Sequence, residues 1–421
     1  LKVWKRMLRA GGAGLAGLSI FAQCSLGLAE PLSLEQAVNM ALGNHLDIKL
    51  AVNTETQAKY ALDAARGSRG ISLDASNTFY LKRIDYSADS NSSQISLSLP
   101  LYSGGKNEGN IAIAQTDVTI AGLDLVKTRQ DVKLNTVAAY FDIINYRETI
   151  GVDQETVDNY TKHLENVRDQ YGAGNLPKSD VLSSEVQLIN AQQTLMQDKN
   201  KYEVAVNKLK NLIRWDRPDQ PELVSGFQHE PLTRSMEDCV AYAKTYHPTL
   251  KKYRLNIEEA KQNVGVAAAD KKPTVSLTAA TGWNSSVLPE DDNKDVYVGV
   301  TTAWNLFDSQ VTAAKIKEAK SKVDSAYLDL TSQEDSLILS VKEYYLSAKE
   351  AEKRMATTQV AIKKADEDYF IAEAKYRIGE GILLDVIDAQ LALTTAKDNY
   401  IAAQYDYDTY RAKLDNAMGM D

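Results

Sequence analysis

Residues 94–105 read Gln94-Ile95-Ser96-Leu97-Ser98-Leu99-Pro100-Leu101-Tyr102-Ser103-Gly104-Gly105. Ile95, Leu97, Leu99 and Leu101 alternate with polar or small residues, the period of a strand with one apolar and one polar face. The glycines that follow mark a turn from strand into helix. Upstream, Ile71, Leu73 and Ala75 alternate with Ser72, Asp74 and Ser76. A hairpin is therefore expected at about residues 70–102, with a polar loop from Arg83 to Ser93. A second is expected at about 273–306, where Val275, Leu277 and Ala279 share one face, Val296, Val298 and Val300 share another, and Ser285 to Asp295 form the loop.

Around the hairpins the chain is rich in Ala, Leu, Gln, Lys and Glu, which favour helix. Helices are expected at 34–67 and 236–270, and again from Asn110 to Tyr171 and from Val311 to Tyr376. A helix of about 60 residues is about 90 Å long, so the object is elongated. The same order occurs twice. Leu34-Glu35-Gln36-Ala37 matches Met236-Glu237-Asp238-Cys239, and His45 matches His247, 202 residues on. Tyr171, Gly174 and Asp180-Val181 match Tyr376, Gly379 and Asp385-Val386, 205 residues on. The chain thus divides into a first repeat (30–215), a linker (216–234) broken by Pro218, Pro221 and Pro231, and a second repeat (235–421). Each repeat has a tip turn, at about 171–180 and 376–385, between a long helix and a short one. The short helices carry heptads: Val181, Leu188, Leu195, Tyr202 and Leu209, then Val386, Leu393, Tyr400, Tyr407 and Leu414, flanked by Ala389, Ala396, Ala403, Tyr410 and Ala417. Such repeats favour coiled-coil packing, and alanine permits close approach.

Lys2, Lys5, Arg6 and Arg9, the apolar run Ala10 to Ala22 and Gly27-Leu28-Ala29 read as a secretory signal peptide over residues 1–29. Cys24 follows Phe21-Ala22-Gln23, which lacks the usual Leu and small residue of a lipidation site. Losing that segment removes four cations and no acid, so the net charge moves from −9 to about −13. A nucleic-acid partner is disfavoured, because phosphate binding wants a basic face. Cys239 is then the only cysteine, so no intrachain disulfide forms. An enzyme reading finds no support. His45, His163, His229 and His247 lack metal-ligand spacing, Gly104-Gly105-Lys106 lacks the earlier glycine and the Ser/Thr of a phosphate loop, and no G-x-S-x-G occurs. No catalytic, cofactor or metal site is expected.

Four strands leave two open edges, which a bilayer does not tolerate. Membrane barrels need at least eight strands, so copies must associate. Two copies would fill their barrel with side chains; three give twelve strands and a lumen, which makes a trimer the smallest channel. Phe79, Tyr80, Tyr102, Trp283, Trp304 and Phe307, near strand ends, suit the membrane interfaces. The alternative is a periplasmic helical scaffold or adaptor without a membrane barrel, which leaves the hairpins unexplained. The fold expected is mainly α with a β-barrel part: a long antiparallel, coiled-coil-like helical barrel plus four transmembrane β-strands per chain, from a tandem repeat.

The strand ends Leu101-Tyr102-Ser103-Gly104-Gly105 and Trp304-Asn305-Leu306-Phe307-Asp308, and the tips that run from Tyr171 to Leu182 and from Tyr376 to Ala389, occur twice in one order. Together they resemble the TolC family of outer-membrane efflux proteins, over about residues 32–420. The resemblance implies a homotrimer with a twelve-stranded barrel among outer-membrane lipid and a long periplasmic α-barrel, in a Gram-negative bacterium. It implies an exit duct, not an enzyme, for an inner-membrane pump (RND, ABC or MFS type) reached through a periplasmic adaptor, in efflux of small molecules or type I protein secretion. By the same resemblance the adaptor docks at the tips, around Gly174, Leu176, Gly379 and Leu383. Asp385 and Asp388 form carboxylate rings at the periplasmic aperture, and Tyr376 and Asp180 belong to a tip latch. Some members add an Arg to that latch, four residues before the first ring aspartate; this chain has Gly381 there, which implies a weaker latch beside an intact ring. Asp388 has Ser183 as its counterpart, so the acidic pair is no mere product of the repeat. The alternative for the pair is two solvated residues, with Asp385 as a helix N-cap. Pro177 is expected to stiffen the first turn, and Gly379 and Gly381 to relax the second.

Overall fold

The structure, a computed structural model, describes residues 32–80, 90–218, 220–224, 226–284, 288–289 and 294–420. The signal peptide expected at 1–29 and most of both expected hairpin loops lie outside the described residues. The elements run α1 (Leu34–Asn44), α2 (Leu46–Gly67), β1 (Ser72–Tyr80), β2 (Ser90–Tyr102), α3 (Lys106–Gly172), α4 (Lys178–Ile213), α5 (Met236–Tyr246), α6 (Pro248–Ala269), β3 (Thr274–Asn284), β4 (Lys294–Ala303), α7 (Val311–Arg377) and α8 (Leu383–Met418). Corresponding helices of the two halves have equal lengths: 11, 22, 67 and 36 residues. A 67-residue helix spans about 100 Å.

Two sequence expectations need correction. The helices at 34–67 and 236–270 are each broken in two, at His45 and His247. Both histidines have extended backbone (ψ 138° and 126°) and act as N-caps, with Nδ1 accepting from the backbone N–H two residues on at 3.2 Å. Pro248 as the first residue of α6 was the readable sign of the break. The loop expected from Arg83 to Ser93 is also too long: Ser90 to Ser93 belong to β2, where Ser92 pairs with Thr78 and Asn284. Lys294 and Asp295 likewise belong to β4.

The strands form one antiparallel sheet in the order β1-β2-β3-β4. Its register aligns Leu73, Leu97, Ala279 and Val298 in one row, and Ala75, Ile95, Thr281 and Val296 in the next. Val296, Val298 and Val300 therefore share the face of Val275, Leu277 and Ala279, rather than having a face of their own. The apolar face is left bare: Leu73 is 70% exposed and Val298 71%. The opposite face carries rows such as Ser72, Ser98, Thr278 and Gly299. Asn77, Ser93, Trp283 and Lys294 close the apolar band at its far end. Among the described residues no helix is long and apolar enough to cross a membrane.

At the near end, Gly104 (φ 70°) and Gly105 (φ 98°) turn β2 into α3. A Cβ on Gly104 would lie 2.7 Å from the Ala269 carbonyl oxygen, so this turn also seats the chain against α6. The helices form a wall. On the strand side its order is α2-α3-α6-α7, and on the tip side α4-α3-α8-α7. The largest core gathers where α1, the middle of α3 and the end of α4 meet, around Ala41, Tyr140, Ile144, Leu209 and Ile213. The linker joins that core: Leu32 N–H donates to Glu222 O at 2.7 Å, and Leu223 is buried.

Candidate functional site

Both tips are built by one backbone device. Gly174 (φ 78°) ends α3 and Gly379 (φ 79°) ends α7. In each, an N–H reaches back five residues at 2.9 Å: Asn175 to Gln170 O and Glu380 to Lys375 O. This is a helix stop in which a left-handed glycine lets orphan carbonyls find donors. Extended Pro177 and Ile382 then start α4 and α8. The two turns differ less than Pro177 and Gly381 led one to expect. Gly381 does not relax the turn, because its backbone is not left-handed. A Cβ there would meet Tyr376 N at 3.0 Å and Lys375 Cβ at 3.2 Å, a tight fit that favours a small residue.

Asp385 is the third residue of α8, not its N-cap; the cap position is Ile382, which makes no side-chain cap bond. A carboxylate in the first turn still suits the positive end of the helix dipole. Asp385 and Asp388 lie three apart on α8, both exposed. Asp180 holds the same place in α4, half-buried, its carbonyl accepting from Ser184 Oγ at 2.8 Å. Tyr376 is brought near it. Burial, with the Asp180 charge second, pushes the Tyr376 phenol up to about 12. The hydroxyl is buried without a hydrogen-bond partner, so the two are neighbours but not bonded. Tyr376 packs with Val167 and Val386 in a small tip core, and Leu176 and Leu383 are half-buried against it. The exposed apolar residues at the tips include Tyr171, Leu182, Ile378, Ile382 and Leu384.

Farther up the wall lies a cluster that sequence reading missed. Asp153 on α3, Asp198 on α4 and Asp398 on α8 converge, and Asp153 and Asp198 are buried. Lys201 pairs with Asp198 at 2.6 Å. Burial, then the bond to Asp198 and the charges of Asp198 and Asp398, raise the Asp153 carboxyl to about 7. Burial and Asp198 raise Asp398 to about 6. Folding therefore favours protonated Asp153. That contribution is complete below the unfolded value near 3.8 and is lost as pH rises through about 7. Asp153→Asn is expected to stabilise the chain by on the order of 2 kcal/mol at pH 8, with little effect at pH 4. Thermal melts across that range check it; equal gains at both pH values would mean that titration of Asp153 plays no part.

A family model described as outer membrane efflux protein matches residues 37–213 and 241–420. The outer membrane efflux protein BepC of Brucella suis is 22% identical over 329 residues, 77% of this chain and 71% of that protein. The outer membrane protein TolC of Salmonella enteritidis is 20% identical over 421 residues, 96% of this chain and 85% of that protein. The crystal structure of the Campylobacter jejuni CmeC outer membrane channel superposes with a TM-score of 0.79 at 19% identity, covering 92% of this chain and 85% of that one. The fold is thus that of outer-membrane channels, and the chain belongs to the outer membrane efflux protein family.

Proposed function

We propose that three copies of this chain close into a continuous duct, with a twelve-stranded barrel in the outer membrane and a helical tunnel reaching the tips in the periplasm. One observation carries this reading. At every level the wall has two free edges; in the sheet they are unpaired strands, and along α4 and α7 they are apolar. The first repeat supplies one side, β1, α2 and α4; the second supplies the other, β4 and α7. On α4, Leu182, Val186, Ile189 and Met196 form an exposed stripe; on α7, Leu328, Leu339, Leu346, Val360 and Ile371 form another. The α7 spacings are 7, 11 and 14 residues, close to two, three and four helical turns. A rotation that sets one copy's β1 beside its neighbour's β4 also sets α2 and α4 beside α7. Such head-to-tail contacts close into rings.

The apolar sheet face then meets lipid, and its polar rows line the lumen. The tips, about 100 Å from the sheet, are placed to receive cargo from an adaptor and an inner-membrane pump, for efflux of small molecules or secretion of protein. The chain supplies a passage and no chemistry. Two measurements test this. In mild detergent the chain sediments as a trimer, and Leu346→Glu with Val360→Glu gives monomers; a trimer that survives both charges removes the α7 edge from the interface. A cysteine at Leu288, exposed between β3 and β4, reacts with an impermeant thiol reagent on intact cells. Labelling only after outer-membrane rupture would invert the topology.

A further inference from the structure

His163, on α3 above the tip, is 2% exposed, and neither ring nitrogen has a hydrogen-bond partner. Buried polar atoms are nearly always paired, so this imidazole calls for a reason. Its ring lies instead against Tyr376 of α7, with centroids 5.2 Å apart and planes at 43°. Tyr376 is itself 3% exposed and its hydroxyl is equally unpaired. The stack ties the last turn of α7 to α3, directly over the tip core of Val167, Val386, Leu176 and Leu383.

The one carboxylate on the facing side of α7 is Glu373, half-buried between Tyr369 and Tyr376, and its charge acts on Tyr369; burial is the sole influence on His163. From α7 come Tyr376 and Tyr369; from α4, Asp180, which acts on Tyr376; from α8, Val386 and Gln390, the latter bonded to Asn159 at 3.0 Å. Asp385 and Asp388 are exposed to solvent. On α3 itself the nearest titratable residue along the helix face is Tyr160, three residues back. That burial lowers the His163 pKa. An imidazolium formed here gains only the attraction of the tyrosine ring face, which does not offset the loss of its hydration.

We propose that His163 is a proton-sensitive fastener of the tip: neutral, it holds the end of α7 against α3, and protonated, it releases that end so that the turns at Gly174 and Gly379 spread. The inference rests on the reading of the chain as a duct entered at its tips. The sign follows from the two states. With the tip spread, the imidazole meets water and has its ordinary pKa of about 6.5; packed, its value is lower. Above about 6.5 the ring is neutral in both states and the fastener acts in full. As pH falls below that, the spread state takes up the proton first and gains, until pH passes the packed-state value. Each pH unit between the two values multiplies the spread-to-packed ratio by about ten. Protonation of Asp153 over the same range strengthens packing, so it cannot mimic the effect.

The test is the conductance of the full-length trimer in planar bilayers at pH about 7.5 and about 5.5. The wild type is expected to conduct several-fold more at the lower pH. His163→Phe and His163→Gln are expected to respond little, and His163→Lys to conduct at the higher value at both. The series is repeated with Asp385→Ala and Asp388→Ala, so that titration of the aperture is not mistaken for release. If both neutral variants follow the wild-type pH response, the fastener is wrong while the duct stands. If no variant and no wild-type channel conducts at either pH, the duct reading falls and this inference with it. Should His163→Phe fail to assemble, His163→Gln decides between the first two outcomes.

Discussion

Glutamate at both Ile378 and Ile382 is expected to abolish export while the trimer persists. Both side chains are bare, 70% and 60% exposed, on the turn after α7. They touch neither the tip core nor the free edges of the wall, so their charge leaves folding and ring closure alone. An adaptor that docks here must desolvate the new carboxylates, at several kcal/mol each when unpaired. The readout is retention of a fluorescent efflux dye by cells carrying the chain with its adaptor and pump; full retention, as in cells without the chain, is the expected result. Normal expulsion would move the docking surface elsewhere. Glutamate at Leu176 and Leu383 is a different experiment, because those residues pack against Tyr376 and Val386. It is expected to loosen the tip as well as the docking, and conductance without any adaptor would reveal the difference.

Alanine at Asp385 and Asp388 is expected to reduce cation selectivity strongly. Neither carboxylate is in an ion pair among the described residues, and both lie at the start of α8, at the end of the wall. In the proposed trimer six such carboxylates would surround the opening and concentrate cations there. In planar bilayers the cation-to-anion permeability ratio should fall toward unity, and block by trivalent cations should weaken by about tenfold or more. Because Asp385 makes no cap bond, its loss costs α8 only a dipole interaction of about 0.3–1 kcal/mol, too little to unravel a 36-residue helix. Selectivity and block that match the wild type would leave the pair as solvated first-turn acids.

The fold was legible where one chemical period runs long enough to be counted. Two-residue alternation in Leu73–Ala75 and Ile95–Leu101 marked the strands, and heptads from Val386 to Leu414 marked a seam that is buried along α8. The glycines of the tip turns were readable because left-handed backbone favours them. Breaks within a good helical sequence were harder: a histidine capping through Nδ1 leaves little trace, unlike Ser33 or Ser235, and only Pro248 marked one of the two. Gly381 was misread because its reason is the closeness of Tyr376, a contact across the turn. His163 and the Asp153–Asp198–Asp398 cluster depend on the register of α3 against α4, α7 and α8, which no local pattern encodes. The stripe of Leu328, Leu339, Leu346, Val360 and Ile371 was present in the residue spacing, but only its bare exposure marks it as an edge.

If three copies close the ring as proposed, the unpaired edges of β1 and β4 have a genetic consequence. A copy able to pair through β1 but not β4 still enters a ring and leaves it open. With equal amounts of such a copy and the wild type, about one ring in eight contains wild-type chains alone. A defect confined to one edge is thus dominant, whereas loss of the whole chain is recessive. Pairing-edge alleles should therefore sensitise a merodiploid strain to exported toxins far more than a deletion beside one intact copy.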